Sequence, residues 1–133
     1  MTASLNLVQL IGNLGRDPEM RYTGTGKAVT RFPIATNRSW LNGEGQRVEA
    51  TEWHHIAVWG TLAETCNEHL RKGQRVYVQG RLQTRSYPHP NHADITLSRT
   101  EIVADRLLFL VNGNGHRDLP VPEDEEENTL AVA

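Results

Sequence analysis

Apolar and polar residues alternate in short segments along most of this chain, and the alternation predicts β-strands. Successive side chains of a strand point to opposite faces, so residues an even number apart share a face. Glycine, proline and polar clusters separate the segments, as expected of turns. The predicted strands are residues 4–15, 28–40, 49–60, 74–84 and 94–110, the last of which is long enough for one strand or two.

One further segment follows a helical period. Residues 61–73 place Leu62, Cys66 and Leu70 at i, i+4 and i+8, which predicts a helix with one buried side. Thr61 is its expected N-cap, and the glycine at position 73 is its expected stop. Three strands, a helix and two further strands are typical of an all-β fold with one short helix, a five-stranded Greek-key barrel of the OB type.

The first strand carries apolar residues on both of its faces. Val8 and Leu10 point to one side, and Leu5, Leu7 and Ile11 point to the other. A strand that is apolar on both sides is expected to be buried on both. The row of Leu5, Leu7 and Ile11 is therefore expected either to contact a second copy of the chain or to lie under the chain's own loops. We favour the second copy, because monomers seldom expose such a row.

Glycine and proline residues predict a turn between the first two strands and a bend within the fourth strand. Residues 16–27 contain Pro18 and a pair of glycines, so we expect a turn there. The stretch GTGK inside it lacks the full pattern of a phosphate-binding loop and is interpreted as a hairpin turn. Gly80 lies inside the fourth strand, where a glycine commonly marks a bend or a bulge.

The third strand contains the segment TEWHHIAVWG, which holds two of the chain's three tryptophans. The period of two places Trp53, His55 and Trp59 on one face, and His54 and Ile56 on the other. The second set is expected to line the barrel, which leaves the tryptophans outside. Exposed aromatic rings stack on nucleic-acid bases, and each stacked base contributes about 1–3 kcal/mol. The alternative is that the tryptophans fill the core or an interface.

Two further aromatic residues lie beside arginines at strand ends. Trp40 ends the second strand close to Arg38, and Tyr87 follows Arg85 where the fourth strand ends. Aromatic rings provide faces for bases, and guanidinium groups bind phosphates and stack on rings. The pattern favours a groove for single-stranded nucleic acid over core packing.

Charge and composition narrow the class of protein. The formal net charge is −2, but six of the 16 acidic residues and none of the 14 Lys and Arg lie in residues 118–133. The rest of the chain is basic, which favours a polyanionic partner. We expect a barrel domain at residues 1–111 and a short, flexible, disordered acidic tail at 112–133.

The sequence also predicts where in the cell the protein is located. No apolar run approaches the roughly 20 residues of a membrane span, and the first strand begins too early for a leader peptide. The single cysteine excludes an internal disulfide and fits a reducing cytosol. We therefore expect a cytoplasmic protein without a membrane partner.

Four segments carry a resemblance to a known family. They are LNLVQLIGNLGRDPEMRYTGTGKAV, TEWHHIAVWGTLAE, HLRKGQRVYVQGRLQTRSY and RTEIVAD, and they occur in this order across residues 4–110. Together they resemble bacterial single-stranded DNA-binding protein. The resemblance implies an OB fold, usually a homotetramer, over which single-stranded DNA wraps at the nucleoid during replication, recombination and repair. It implies neither catalysis nor a cofactor.

The resemblance also implies functional positions. The stacking and basic positions that match are Trp40, Trp53, Trp59 and Tyr87, with Arg21, Arg71, Lys72 and Arg85. His55 stands where the family frequently has a basic residue, so it would add charge only when protonated, near or below a pKa of about 6.5. His54 matches a family histidine near the subunit interface.

The acidic tail departs from the family pattern. Family members generally carry a long linker and an acidic tip closed by Pro-Phe, which recruits replication and repair enzymes. The tail PVPEDEEENTLAVA is short and ends without an aromatic residue. It either recruits such proteins or keeps the chain soluble and competes with DNA for the basic face. Its acidic cluster is Glu123, Asp124, Glu125, Glu126 and Glu127.

Two other functions compete with DNA binding. An adaptor of the primosome type, or a specialised family member, would use the barrel face mainly to bind proteins. A metal-dependent hydrolase would use His89, His92 and Asp94, but a zinc site usually needs four ligands. We predict no metal site and no catalytic group.

Overall fold

Strands and a helix account for most of residues 3–110, which are the residues that the structure, a computed structural model, describes. Their bounds are β1 Val8–Leu14, β2 Glu19–Tyr22, β3 Ala28–Leu41, β4 Arg47–Trp59, α1 Thr61–His69, β5 Arg75–Pro88 and β6 Thr96–Phe109. Over this range no helix is long and apolar enough to cross a membrane. The tail predicted at residues 112–133 lies outside the described residues.

Five of the strands close into a barrel. They pair in the order β1, β5, β6, β4, β3, and β1 returns to β3 through Asn13 with Ala35 and Leu14 with Ile34. β4 and β6 run parallel, and the other neighbours run antiparallel. Gly12 permits the closure, because a Cβ atom there would collide with the carbonyl oxygen of Ala35. The predicted five-stranded barrel is confirmed.

A short strand corrects the expectation of a simple turn at residues 16–27. Residues Glu19 to Tyr22 form β2 and pair with the beginning of β3. Four residues are too few for alternation to reveal a strand, and pairing with the longer β3 decides their conformation. The turn follows β2, where the N–H of Thr23 donates to the carbonyl of Lys27 at 2.9 Å.

The inner faces of the barrel strands form one core with the helix. The only polar side chain at its centre, within the described part of the chain, is that of Thr30, whose hydroxyl donates to the Ala63 carbonyl at 2.7 Å. That bond satisfies the buried hydroxyl. The apolar strand residues of the core are Leu14, Ala28, Phe32, Ile34, Ile56, Val58, Val76, Val78, Ile102, Ala104, Leu107 and Phe109.

The helix buries the side that the sequence predicts, but it begins differently. Leu62, Cys66 and Leu70 are all buried. The N-cap is Gly60, with φ 74°, and no side chain caps the helix, so the prediction of Thr61 as N-cap is wrong. Glycine adopts this positive φ without strain, which lets the chain pass from β4 into the helix within one residue.

The helix also ends earlier than predicted. Its last residue is His69, and Leu70 is already extended, with φ −83° and ψ 146°. Leu70 is fully buried, so packing into the core decides where the helix stops. Gly73 forms the next turn instead, where its N–H donates to the Leu14 carbonyl at 2.8 Å.

Gly80 forms the predicted bulge. The register of β5 against β6 shifts between Gln79 and Gly80. A Cβ atom on Gly80 would collide with the carbonyl oxygen of Val103 on β6. The close approach of the two backbones at the bulge therefore requires glycine.

We expect Gly80→Ala to lower the free energy of unfolding by about 1–3 kcal/mol, because the added methyl overpacks against backbone. Gly24→Ala is the matched control, since a Cβ atom there meets nothing within 4 Å. We expect the control to change the free energy by less than about 1 kcal/mol. Urea unfolding followed by circular dichroism measures both, and equal effects would contradict the role of the bulge.

Candidate functional site

One outer surface of the barrel collects the aromatic and basic side chains of five strands. Strand register places Trp53 opposite Ala35 and His55 opposite Pro33, on the side away from the core. The parallel pairing of β4 with β6 continues this side onto β6 and β5. We call this surface the outer face; its residues are Arg21, Arg31, Pro33, Trp53, His55, Trp59, Arg85, Tyr87, Arg99 and Glu101.

Trp53 forms the wall of a groove on the outer face. Its side chain is 53% exposed, so the prediction that it points outward is confirmed. The far edge of the indole lies against Gly15, where a Cβ atom would collide with the ring. The groove has a volume of about 290 Å³ and is lined by Gly15, Arg16, Pro33, Trp53 and His55. An open aromatic wall with an adjacent cation can hold a planar base and its phosphate.

Tyr87 and Trp59 stand at other parts of the outer face. Tyr87 is 38% exposed and pairs with Leu97, beyond Arg85 on the same side of β5. Trp59 is half-buried, and the ammonium of Lys27 lies 5.8 Å from the centre of its ring. Trp59 therefore offers less ring surface than Trp53 does, and a cation already covers part of it.

Trp40 lies on the opposite side of the β3–β4 hairpin from Trp53. Even- and odd-numbered residues of β3 point to opposite sides of the sheet. Trp40, which pairs with Val48, is an even-numbered residue of β3, whereas Trp53 lies opposite the odd-numbered Ala35. The guanidinium of Arg38 lies 4.7 Å from the centre of the Trp40 ring. A separate groove of about 530 Å³ follows this side, lined by Thr36, Asn37, Arg38, Ala50 and Glu52. The structure thus does not bring the predicted aromatic residues together on a single surface.

A buried carboxylate lies in the middle of the outer face. Glu101 is only 4% exposed; it accepts a hydrogen bond from Arg31 Nε at 3.3 Å and forms an ion pair with Arg85 Nε at 3.2 Å. Arg31 pairs in register with Ala57 on β4, so its side chain crosses over this small residue to reach β6. A buried charge is stable only when it is paired, and the two arginines supply that pairing.

His55 is held by an arginine from the neighbouring strand. Nη2 of Arg99 lies 2.9 Å from Nδ1 of His55, and a guanidinium can only donate. Burial lowers the pKa of His55 below its usual value, and the charges of Arg99 and Arg16 lower it further, against the opposing effect of Glu101. His55 is therefore neutral at pH 7.

The other predicted basic residues lie at the margins of this surface. Arg21 is on β2 and forms an exposed pair with Glu19 at 3.5 Å. Arg71 donates to the carbonyls of Leu70 and Asn67 at the end of the helix.

Lys72 lies closer to the Trp53 groove. Its backbone N–H donates to a carboxylate oxygen of Asp17 at 2.8 Å. Gly73 is in turn bonded to Leu14, so the turn carrying Lys72 packs beside the end of β1, next to the glycine and arginine that line the groove.

Sequence reasoning missed six residues of the outer face and the Trp53 groove: Gly15, Arg16, Arg31, Pro33, Arg99 and Glu101. Arg31 and Arg99 lie on strands whose partners only the fold identifies. The signal for Gly15 and Arg16 was present, since both belong to the motif GNLGRDPE. Asp17 belongs to the same motif, where its carboxylate accepts the Lys72 N–H and fixes that turn.

The prediction of a first strand from residue 4 is wrong at its beginning, because pairing with β5 starts only at Val8 and Leu5 and Leu7 therefore precede β1. The row of Leu5, Leu7 and Ile11 is exposed in the single chain. Leu5, Leu7 and Ile11 are 85%, 51% and 50% exposed, so no loop within residues 3–110 covers them. His54 faces the core side, opposite Ile34, and its Nε2 lies 2.9 Å from the Thr36 hydroxyl. It is half-buried at the rim of the barrel.

The histidines of the β5–β6 loop contact each other. The rings of His89 and His92 lie 4.9 Å apart, and His89 Nδ1 accepts from the N–H of Asn91 at 3.0 Å. Among residues 3–110, no three His, Cys, Asp or Glu side chains gather as metal ligands would.

Comparison with known proteins relates this arrangement to a family. The model of the single-strand binding protein family matches residues 5–110. The chain is 44% identical over 110 residues to single-stranded DNA-binding protein 1 of Chlorobaculum tepidum, covering 83% of this chain and 67% of that protein. It is 46% identical over 111 residues to the single-stranded DNA-binding protein of Neisseria meningitidis serogroup A, covering 84% and 63%. The chain thus spans about two thirds of the length of these relatives.

Solved structures give the same relationship. The structure described as a Plasmodium falciparum SSB complex with ssDNA superposes with a TM-score of 0.75 at 34% identity, covering 84% of this chain and 99% of that one. A deletion mutant of the single-stranded DNA binding protein from Thermus aquaticus gives 0.72 at 31% identity, covering 83% and 52%. With its closed barrel and the family match across residues 5–110, the chain belongs to the single-strand binding protein family.

Proposed function

We propose that this chain binds single-stranded DNA with little dependence on sequence, in DNA replication, recombination and repair, and that it does so without catalysis. The observation that carries the proposal is the Trp53 groove, an exposed indole beside Arg16 on a surface with four further arginines. The names of the relatives support it.

Stacking explains why the binding is tolerant of sequence. Every base has a π-face, so an exposed indole or phenol accepts any of them. Trp53 and Tyr87 lie on one side of the sheet, with arginines on the strands between them. Bases in a duplex already stack on each other and pair, so only an unpaired strand can offer its bases to these rings. The outer face therefore selects single strands by the availability of their bases.

Trp40 extends the proposed path beyond the outer face. Because it lies on the opposite side of the β3–β4 hairpin, a strand that contacts both Trp53 and Trp40 must pass around this hairpin. Arg38, stacked on Trp40, provides a cation next to that second ring. A wrapped path of this kind would use both sides of the hairpin, and Trp59 with Lys27 would mark one margin of it.

We propose that the chain assembles through the row of Leu5, Leu7 and Ile11 into a homo-oligomer, a homotetramer as the resemblance implies or a dimer. All three side chains are at least half exposed. Apolar rows of this kind mark contacts between subunits. His54 belongs to the predicted interface as well, on the rim of the barrel.

We expect Trp53→Ala to weaken binding of oligo-dT by about 1–3 kcal/mol, because one stacked base loses its partner. The fold should be unchanged, since the side chain is about half exposed. Tyr22→Ala is the matched control, because Tyr22 is 60% exposed but lies on β2 away from the groove. Fluorescence anisotropy of a labelled oligonucleotide measures both variants. Equal losses in the two variants would contradict a role for the Trp53 groove.

We expect Ile11→Lys to reduce the assembly to smaller species, because a buried ammonium in an apolar contact is strongly unfavourable. Leu41→Lys is the control, since Leu41 is 68% exposed at the tip of the β3–β4 hairpin. Light scattering after size-exclusion chromatography gives the mass of each. A monomeric wild-type protein, or a loss of assembly in both variants, would overturn this interface.

A further inference from the structure

The contact between Arg99 and His55 joins two strands at the point where their pairing ends. β4 and β6 pair only from Ile56 with Ile102 to Val58 with Ala104. Towards the hairpin ends of both strands, no further β4–β6 pairs form within the described residues. The Arg99–His55 hydrogen bond of 2.9 Å bridges this opening.

The direction of that hydrogen bond fixes the chemical state of His55. Arg99 can only donate, so Nδ1 of His55 is the acceptor and the ring proton lies on Nε2. The groups facing the ring are Arg99 and Arg16, with Glu101 and His54, and their sum together with burial lowers its pKa. His55 therefore brings no positive charge to the outer face at pH 7.

Arg99 differs from the other central arginines in its charge balance. Glu101 is bound by Arg31 and Arg85, which neutralise its carboxylate. No carboxylate of residues 3–110 lies within ion-pair distance of Arg99, whose polar contact is with the neutral His55. A guanidinium without an acidic partner retains its full charge for an anion from outside the chain.

The place of Arg99 on the sheet matches a backbone path between two aromatic rings. It pairs with Arg85 on β5, and Tyr87 follows two residues later on the same side. On the other flank it reaches His55, which lines the groove with Trp53. A strand stacked on Trp53 and Tyr87 must carry its phosphates across this region.

We propose that Arg99 binds a backbone phosphate of single-stranded DNA between Trp53 and Tyr87, and that His55 is a positioning residue that holds its guanidinium rather than a cation in its own right. The inference rests on the proposed function. In this chain the positive charge expected at position 55 is supplied instead by Arg99, on the neighbouring strand β6.

The first experiment compares two charge removals in the full chain. Arg99→Gln should weaken oligo-dT binding about tenfold near physiological salt, as expected for loss of one charge-assisted contact. It should also make the log–log salt dependence shallower by about 0.7, the value for one phosphate on single strands. Arg75→Gln is the control, because it removes the same charge at the opposite end of β5, where Arg75 pairs with Asn13. Equal effects of both variants on affinity and slope would overturn the proposal.

The second experiment tests the role of His55. His55→Leu removes the acceptor and should weaken binding severalfold in the wild-type background but hardly at all in the Arg99→Gln background, because the two residues then act as one unit. Independent, multiplying losses would show that His55 contacts DNA by itself.

A measurement on the protein without DNA tests this inference separately from the proposed function. In a nitrogen-detected NMR titration, His55 should carry its proton on Nε2 and titrate below about 6.5, and Arg99→Gln should raise that pKa. A proton on Nδ1, or no change in the variant, would overturn the positioning role. Failure of the wild-type chain to bind oligo-dT would overturn the proposed function, and the assignment of Arg99 with it.

Discussion

The close approach of β1 and β3 at Gly12 is the constraint on which the remaining features depend. Without a Cβ atom at this position, the two backbones come near enough for β1 to leave β5 and pair with β3, which closes the barrel. Closure carries the end of β1 directly to the outer face. Gly15 then lies under the indole of Trp53, and Arg16 stands at the rim of the groove. Two glycines in one short motif thus determine both the fold and the shape of the candidate site.

The charges of the outer face follow a second rule, that a buried carboxylate needs partners. Glu101 engages Arg31 and Arg85 from strands on either side, so these guanidinium groups are fixed against the sheet. Such a cluster has a modest effect on stability, because desolvation offsets much of its attraction. Its effect on position is larger, since the arginines lie ordered before any ligand arrives. Arg99 and Arg16 remain outside the cluster.

The sequence was sufficient for the features that depend on local pattern. Alternation predicted the five long strands and the outward direction of Trp53, and the helical period predicted the buried side of α1. It could not predict β2, the N-cap at Gly60 or the end of the helix at His69, because long-range pairing and packing of Leu70 decide these.

The same division holds within the candidate site. The residues Trp53 and His55 follow from one strand, whereas the Arg31–Glu101 and Arg99–His55 contacts join residues 70 and 44 positions apart. The most direct test of the central claim is a titration of intrinsic tryptophan fluorescence with oligo-dT and with duplex DNA of equal phosphate content, at low and high salt. The account predicts strong quenching by oligo-dT alone, partly retained at high salt. Equal responses to both, abolished by salt, would contradict it and indicate charge attraction without stacking.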